Sequence, residues 1–189
     1  MLVEAGPLPV LMIMSSPVTG ASAARTLYYL SITSARQSIL IANPYVVPDP
    51  AALDTLLDAR TRGVDVRLMV SGVHNDNWLA RRNAVRMYGR LLEAGVRILE
   101  YEPTLLHHKT MVVDDVWVTI GTTNFDNRSF AHNEESNVCV YDRALARELR
   151  QIFEADSRRC TRVTLEQWRK RGWVWRAQDV VAAFLTEQV

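Results

Sequence analysis

The sequence predicts a three-layer α/β fold, a mixed β-sheet flanked by helices. Three observations carry that reading. Short apolar runs alternate with amphipathic stretches as far as Tyr101, and consecutive strand-like runs follow between His108 and Tyr141. An apolar content of 48% in 189 residues is enough to bury one sizeable core. A single domain over residues 1–189 is expected, with a core over about 8–160 and a helical, Arg/Trp-rich tail over 161–189.

Val10 to Ser15 reads as a buried strand, and Ala21 to Gln37 as a helix with Leu27, Leu30 and Ile32 in its apolar set. Ile39 to Ala42 is strand-like and ends in the turn signal Asn43-Pro44-Tyr45. Pro50 opens a helix that Gly63 stops after Arg62. A strand over Val64 to Val70 is broken by Ser71-Gly72. A helix over Leu79 to Ala94 closes at Gly95, and a strand follows from Val96 to Tyr101. His108 to Val113, Val116 to Ile120 and Asn137 to Tyr141 are the consecutive strands, with Asp114-Asp115 as a tight turn between the first two. Arg143 to Arg159 reads as a helix, and Leu165 to Arg171 and Asp179 to Thr186 as a helical tail.

Composition narrows the function classes. A net charge of +1 gives no bulk attraction for nucleic acid. Cys139 and Cys160 lack CxxC or metal spacing, so reduced structural thiols are expected. No run reaches the 18 apolar residues of a spanning helix, and Leu8 to Met14 lacks the basic flank and cleavage site of a signal peptide. The basic residues are 20 Arg and two Lys, Lys109 and Lys170. Lys109 therefore stands out, because a compact ammonium serves phosphate as a mobile point charge that a planar guanidinium does not mimic.

Lys109 lies in an H-x-K-x4-D string made by His107, Lys109 and Asp114. By residue usage such a string arises by accident in on the order of one chain of this size in a hundred. Asn124 follows His107 by 17 residues, in Gly121-Thr122-Thr123-Asn124, and Glu135 by 28, which makes accident a poor account. On a strand, His107 and Lys109 share a face while His108 points the other way and is read as structural. A neutral imidazole can attack phosphorus through one ring nitrogen while a carboxylate holds the other; Glu135 is the candidate for that carboxylate. Lys109 and Asn124 suit the non-bridging phosphate oxygens. Asp114 at a turn is expected to pin backbone, and Thr122 either to join the phosphate cradle or to bond locally. Asp126 and Arg128 are expected to pair beneath the site, and Glu134 to be a solvated neighbour. The loops Asn43-Pro44-Tyr45 and His74-Asn75-Asp76 follow strands, where α/β sites collect.

These residues resemble the HKD signature of the phospholipase D superfamily. Leu105 to Asn137, including Asn124-Phe125-Asp126-Asn127-Arg128-Ser129-Phe130 and Asn133-Glu134-Glu135-Ser136-Asn137, is similar to the second motif of bacterial cardiolipin synthases. Ile41-Ala42-Asn43-Pro44-Tyr45 and Ser71-Gly72 extend the likeness over most of the chain. The resemblance implies a phospholipase D-like fold without metal or cofactor and a site of His107, Lys109, Asp114, Asn124 and Glu135. Lys109, Thr122 and Asn124 would bind phosphate. His107 would be the nucleophile or its acid/base counterpart, and a phosphohistidine the intermediate. A phosphatidyl group would pass from one phosphatidylglycerol to another, releasing glycerol. An anionic phospholipid surface at the cytoplasmic face of the bacterial membrane would be the partner.

Enzymes of that family bring two HKD motifs together, whereas His74, His108 and His132 start no second one here. The chain is similar to the C-terminal half of a cardiolipin synthase. A homodimer pairing two His107 residues, a complementary half on another chain, and an inactive fragment all follow as possibilities. A dimeric phosphodiesterase or nuclease is the alternative enzyme reading, opposed by the near-neutral charge. A membrane-binding half-domain is the non-catalytic one, with the Arg/Trp tail as contact surface and Trp173 and Trp175 as its test. Packing of the tail's aromatics on the core is the preferred reading of that segment.

Overall fold

The computed structural model describes residues 6, 8–19 and 23–172. Its elements run β1 (Val10–Ser15), α1 (Ala23–Ser34), β2 (Ser38–Ala42), β3 (Val46–Val47), α2 (Pro50–Thr61), β4 (Asp65–Ser71), α3 (Trp78–Glu93) and β5 (Arg97–Tyr101). Then come β6 (Lys109–Val113), β7 (Trp117–Gly121), β8 (Phe125–Asp126), α4 (Asn127–Ala131), β9 (Glu135–Tyr141), α5 (Arg143–Ser157), β10 (Cys160–Val163) and α6 (Leu165–Arg169). Eight strands form one mixed sheet in the order β1-β9-β7-β6-β2-β4-β5-β10, and β3 and β8 pair separately in parallel.

Strands β2, β4 and β5 are parallel and are joined through α2 and α3, as parallel neighbours require. All five residues of β2, Ser-Ile-Leu-Ile-Ala, are buried, as expected of a strand covered on both faces. Ile39, Ile41, Leu68, Val70, Met111 and Val113 pack under α1, α2 and α3. The alternate residues Leu40, Ala42, Met69 and Val112 pack against Ala146 and Phe153 of α5. That alternation makes the three layers. Leu56 is fully buried, so Leu56→Ala should cost about 2–5 kcal/mol.

Helix starts follow ordinary capping chemistry. Asp49, Asn77, Asp126 and Asp142 each accept a backbone N–H of the first turn of α2, α3, α4 and α5. Gly63 ends the α2 connection at φ 86°, a conformation that costs a side-chain-bearing residue strain. Between β6 and β7, Asp114 and Asp115 have φ of 52° and 55°, and Val116 N donates to Val113 O at 3.1 Å. Paired positive φ values of this kind make a type I′ hairpin turn.

Several expectations are corrected. Strand β1 is an edge strand, not a buried one: among the described residues it pairs only with β9, and Leu11, Met12 and Met14 are exposed. Leu30 of α1 likewise points outward, while Ala24, Leu27, Tyr28, Ser31 and Ile32 form the buried stripe. Helix α1 ends at Ser34 rather than Gln37, because the N–H groups of Arg36, Gln37 and Ser38 turn to the Asp114 carboxylate. Strand β9 begins at Glu135, two residues earlier than expected. Strand β10, the β3–β8 pair and α4 have no counterpart in the sequence reading. Helix α6 lays Trp168 over Gly89 and donates Trp168 Nε1 to Val85 O at 2.7 Å. Trp173, Trp175 and Asp179 to Thr186 lie outside the described residues. Among the described residues no helix is long and apolar enough to cross a membrane.

Candidate active site

Where β4 ends, β6 and β9 begin, and β7 gives way to its following turn, four sequence segments meet. Lys109 opens β6 opposite Gly121, the last residue of β7. Gly121 in turn faces Asn137 of β9, and an added Cβ would collide with Asn137 Oδ1 and Ser136 O, so glycine is needed there. Lys109 is 7% exposed, and its Nζ donates to His107 O at 2.7 Å. The same nitrogen stands 3.4 Å from each ring nitrogen of His107, which is itself exposed. Burial pulls the Lys109 ammonium below the ordinary lysine range, opposed first by Glu135, then by Asp76 and Asp126.

Glu135, also 7% exposed, is held on both oxygens. Thr122 Oγ1 donates to Oε2, and Asn133 Nδ2 donates to Oε1 at 3.2 Å. Thr122 also accepts from Ser136 N at 3.0 Å. Its hydroxyl bonds locally and positions Glu135, the second of the two roles open to it from the sequence. The expected contact between Glu135 and His107 is not formed in this arrangement. The two flank Lys109, and the imidazole lies against the ammonium.

The turn carrying Asn124 is fixed from below. Tyr28 Oη and Asn43 Nδ2 both donate to Thr123 O at 3.2 Å, and Tyr28 stacks on Phe125 at a centroid distance of 5.1 Å. Asn124 Oδ1 is buried without a hydrogen-bond partner. Asp126 caps α4 through Ser129 N at 2.7 Å, and burial raises its carboxyl above the usual range. It is a cap more than the partner of Arg128 that the sequence suggested.

Asp114 does not join the site. It lies at the opposite end of β6, about 16 Å away by strand rise, and accepts the N–H groups of Arg36, Gln37 and Ser38 at 2.9, 2.7 and 2.8 Å. His108 faces the α5 side, beside Phe153 and Asp156, where burial lowers its pKa and Asp156 opposes that. Glu134 is exposed and accepts from Ser16 Oγ at 3.4 Å.

Sequence reasoning missed Asn133, Tyr28 and the link between Tyr45 and Asp76. Asn133 had a local signal, standing two residues before Glu135 at the start of a strand. The others are contacts across the fold, with no periodicity to betray them. Chemically, the constellation offers an exposed imidazole, one buried cation, a fixed carboxylate and, in the turn after β7, an amide. Such a set can hold a phosphoryl oxygen and present a nucleophile to it. Among the described residues no three His, Cys, Asp or Glu converge to hold a metal ion.

Solved structures place this architecture. Nuc from Salmonella typhimurium, a phospholipase D family member, matches with a TM-score of 0.71 at 23% identity, covering 84% of this chain and 99% of that one. The phosphatidylserine synthase of Haemophilus influenzae Rd KW20 matches with a TM-score of 0.65 at 15% identity, covering 94% and 44%. The fold is therefore that of a phospholipase D-like domain.

Closer relatives refine the class. Cardiolipin synthase 2 of Staphylococcus epidermidis is 38% identical over 162 residues, 84% of this chain and 32% of its own. The cardiolipin synthase of Clostridium perfringens (strain SM101 / Type A) is 38% identical over 154 residues, 82% and 32% of the two chains. Residues 29–157 match the family model described as cardiolipin synthase, PLD-like domain, and the chain belongs to that family. It spans about a third of the length of the curated relatives it matches.

Proposed function

We propose that this chain supplies one half of a phosphatidyl-transfer site that works through a phosphohistidine on His107, with phosphatidylglycerol as donor and acceptor. The observation that supports the reading best is the meeting of His107, Lys109 and the clamped Glu135 at one end of the sheet, with Asn124 in the turn just past β7. A ring nitrogen of His107 attacks phosphorus, and the bond from phosphorus to the glycerol oxygen breaks. The glycerol oxygen takes a proton from the histidine of a second half. A hydroxyl of the next phosphatidylglycerol then attacks, returns its proton to that second histidine, and the bond from phosphorus to His107 breaks.

Lys109 balances the charge on the phosphoryl oxygens in both steps, and Asn124 donates to one of them through its amide nitrogen. Glu135 stabilises the imidazolium once the exposed His107 ring turns toward it. The second histidine comes from a two-fold mate or a complementary chain, because one imidazole cannot serve as nucleophile and leaving-group acid at once. The protein then works at an anionic membrane surface, on the cytoplasmic face.

The test is turnover on phosphatidylglycerol vesicles, reading cardiolipin and released glycerol, with solution mass measured in parallel. Wild-type protein should form product as a dimer or with its complementary half, and His107→Ala should form none. Equal product from the two proteins would sink the reading. Cleavage of DNA in EDTA without lipid turnover would replace it with the phosphodiesterase alternative.

A further inference from the structure

Lys109 has two unlike flanks. On the β7 and β9 side stand Thr122, Asn124 and Glu135, which the proposed reaction uses. On the β2 and β4 side, nothing in that reaction uses the residues present. There Tyr45, 8% exposed and just past β2, donates its hydroxyl to Oδ1 of Asp76 in the loop after β4. Asp76 is exposed, and the pairing of Ala42 with Thr110, next to Lys109, and the Ser71 N to Pro44 O bond set this pair at the Lys109 end of the sheet.

The two flanks are tied through one short loop. Asn43 is fully buried, donates to Thr123 O at 3.2 Å, and accepts Tyr45 N at 3.3 Å. The loop that braces the Asn124 turn therefore also aims Tyr45 at Asp76. Tyr45 donates to Oδ1 of an Asp76 that is itself exposed, so the carboxylate is fixed yet open to a ligand.

A carboxylate beside a phosphate site is costly unless it has its own task, since like charges repel. An ionised carboxylate only accepts hydrogen bonds, so it cannot hold a phosphoryl oxygen. It can hold a hydroxyl. A phosphodiester brings two alcohols to the site, and a glycerol headgroup brings free hydroxyls next to the reacting oxygen.

Resting on the phosphoryl-site reading above, we infer that Asp76, positioned by Tyr45, is the subsite for the alcohol portion of the phosphodiester and accepts a hydroxyl of a polyol headgroup. The headgroup lies toward β4 and the phosphate over Lys109. Asp76 thereby selects a polyol over an alcohol without further hydroxyls. Tyr45 contributes by fixing the carboxylate.

The test is NMR titration of the full chain with three diesters that differ in one alcohol: methyl glyceryl phosphate, dimethyl phosphate and methyl aminoethyl phosphate. Asp76→Ala should weaken the glyceryl diester about tenfold, because a charge-assisted hydrogen bond is lost. It should leave dimethyl phosphate equal or tighter, because a repelling charge is gone. Tyr45→Phe should weaken the glyceryl diester by a smaller factor and leave dimethyl phosphate unchanged. Lys109→Met should weaken all three.

Equal losses for glyceryl and dimethyl probes in Asp76→Ala, or no loss in either, would overturn the assignment. A larger loss for the aminoethyl probe would overturn it in favour of cation recognition. Persistent dimethyl phosphate binding in Lys109→Met, or no binding of any probe to wild type, would instead remove the phosphoryl-site reading beneath it.

Discussion

The two ends of the sheet solve opposite problems. At the end where Asp114 lies, charges are matched. Asp114 takes three backbone N–H groups, Arg150 holds Asp115 and donates to Ser38 Oγ at 2.6 Å, and Arg67 reaches Asp65 at 2.9 Å and Glu154 at 2.6 Å. At the other end a buried ammonium has three carboxylates around it, an imidazole lies against it, and a buried amide oxygen has no partner. Fully paired polar groups make structure, and incompletely paired ones wait for a ligand. Strand β6 runs between them, with Lys109 opening it at one end and Asp114 just beyond the other.

The sharpest way to break this comparison is at Lys109. Lys109→Met should lower turnover on phosphatidylglycerol by about a thousandfold, with an unchanged melting temperature; a large loss of melting temperature instead would place Lys109 with the structural end. Asp114→Ala should do the reverse. It should cost about 2–4 kcal/mol in urea unfolding through three backbone donors returned to water, and keep activity per folded molecule.

A subtler change sharpens the contrast within the active end. Thr122→Val conserves shape but removes the donor to Glu135, and should lower turnover about tenfold with stability within about 1 kcal/mol. Unchanged turnover would mean that Asn133 alone positions the carboxylate.

The smallest expected effect is electrostatic. Burial alone would raise the Asp65 carboxyl, but the hydrogen bond from Arg97 and the charge of Arg67 override it and hold the group below the usual aspartate range. A depressed carboxylate stabilises the folded chain above its unfolded pKa of about 4, and that contribution is lost as pH falls through the lower folded value. Asp65 is about a third exposed, so the contribution should be under about 1 kcal/mol. Asp65→Asn should flatten the acid limb of unfolding free energy against pH by that amount; an identical limb would show that solvent screens the cluster.

Much of this contrast was legible in the residues themselves. Spacing of two put His107 and Lys109 together and His108 apart, and Asp114-Asp115 reads as a turn from composition alone. The mixed sheet followed from the switch between helix-linked and consecutive strands. Burial of β1 was not legible, because Val-Leu-Met-Ile-Met looks the same at an edge as at a centre and only its neighbours decide. Leu30 failed for a related reason, since a helix rich in apolar residues does not declare which stripe is covered. Tyr45 and Asp76 lie 31 positions apart and meet only because β2 and β4 are neighbours. Asn133 and Thr122 could be named near Glu135, but not their shared hold on it.

The Asp114-Asp115 turn also acts as a ruler. Two residues with positive φ set how far β7 slides along β6, and with it which side chain stands across from Gly121. Strand pairing repeats every two residues, so a single insertion in that turn would exchange the two faces of the strand it displaced. Lys109 opens β6, so its place opposite Gly121 depends on that register. A gene that gained or lost one codon at the turn would keep every residue of the signature and lose the alignment that gives it meaning.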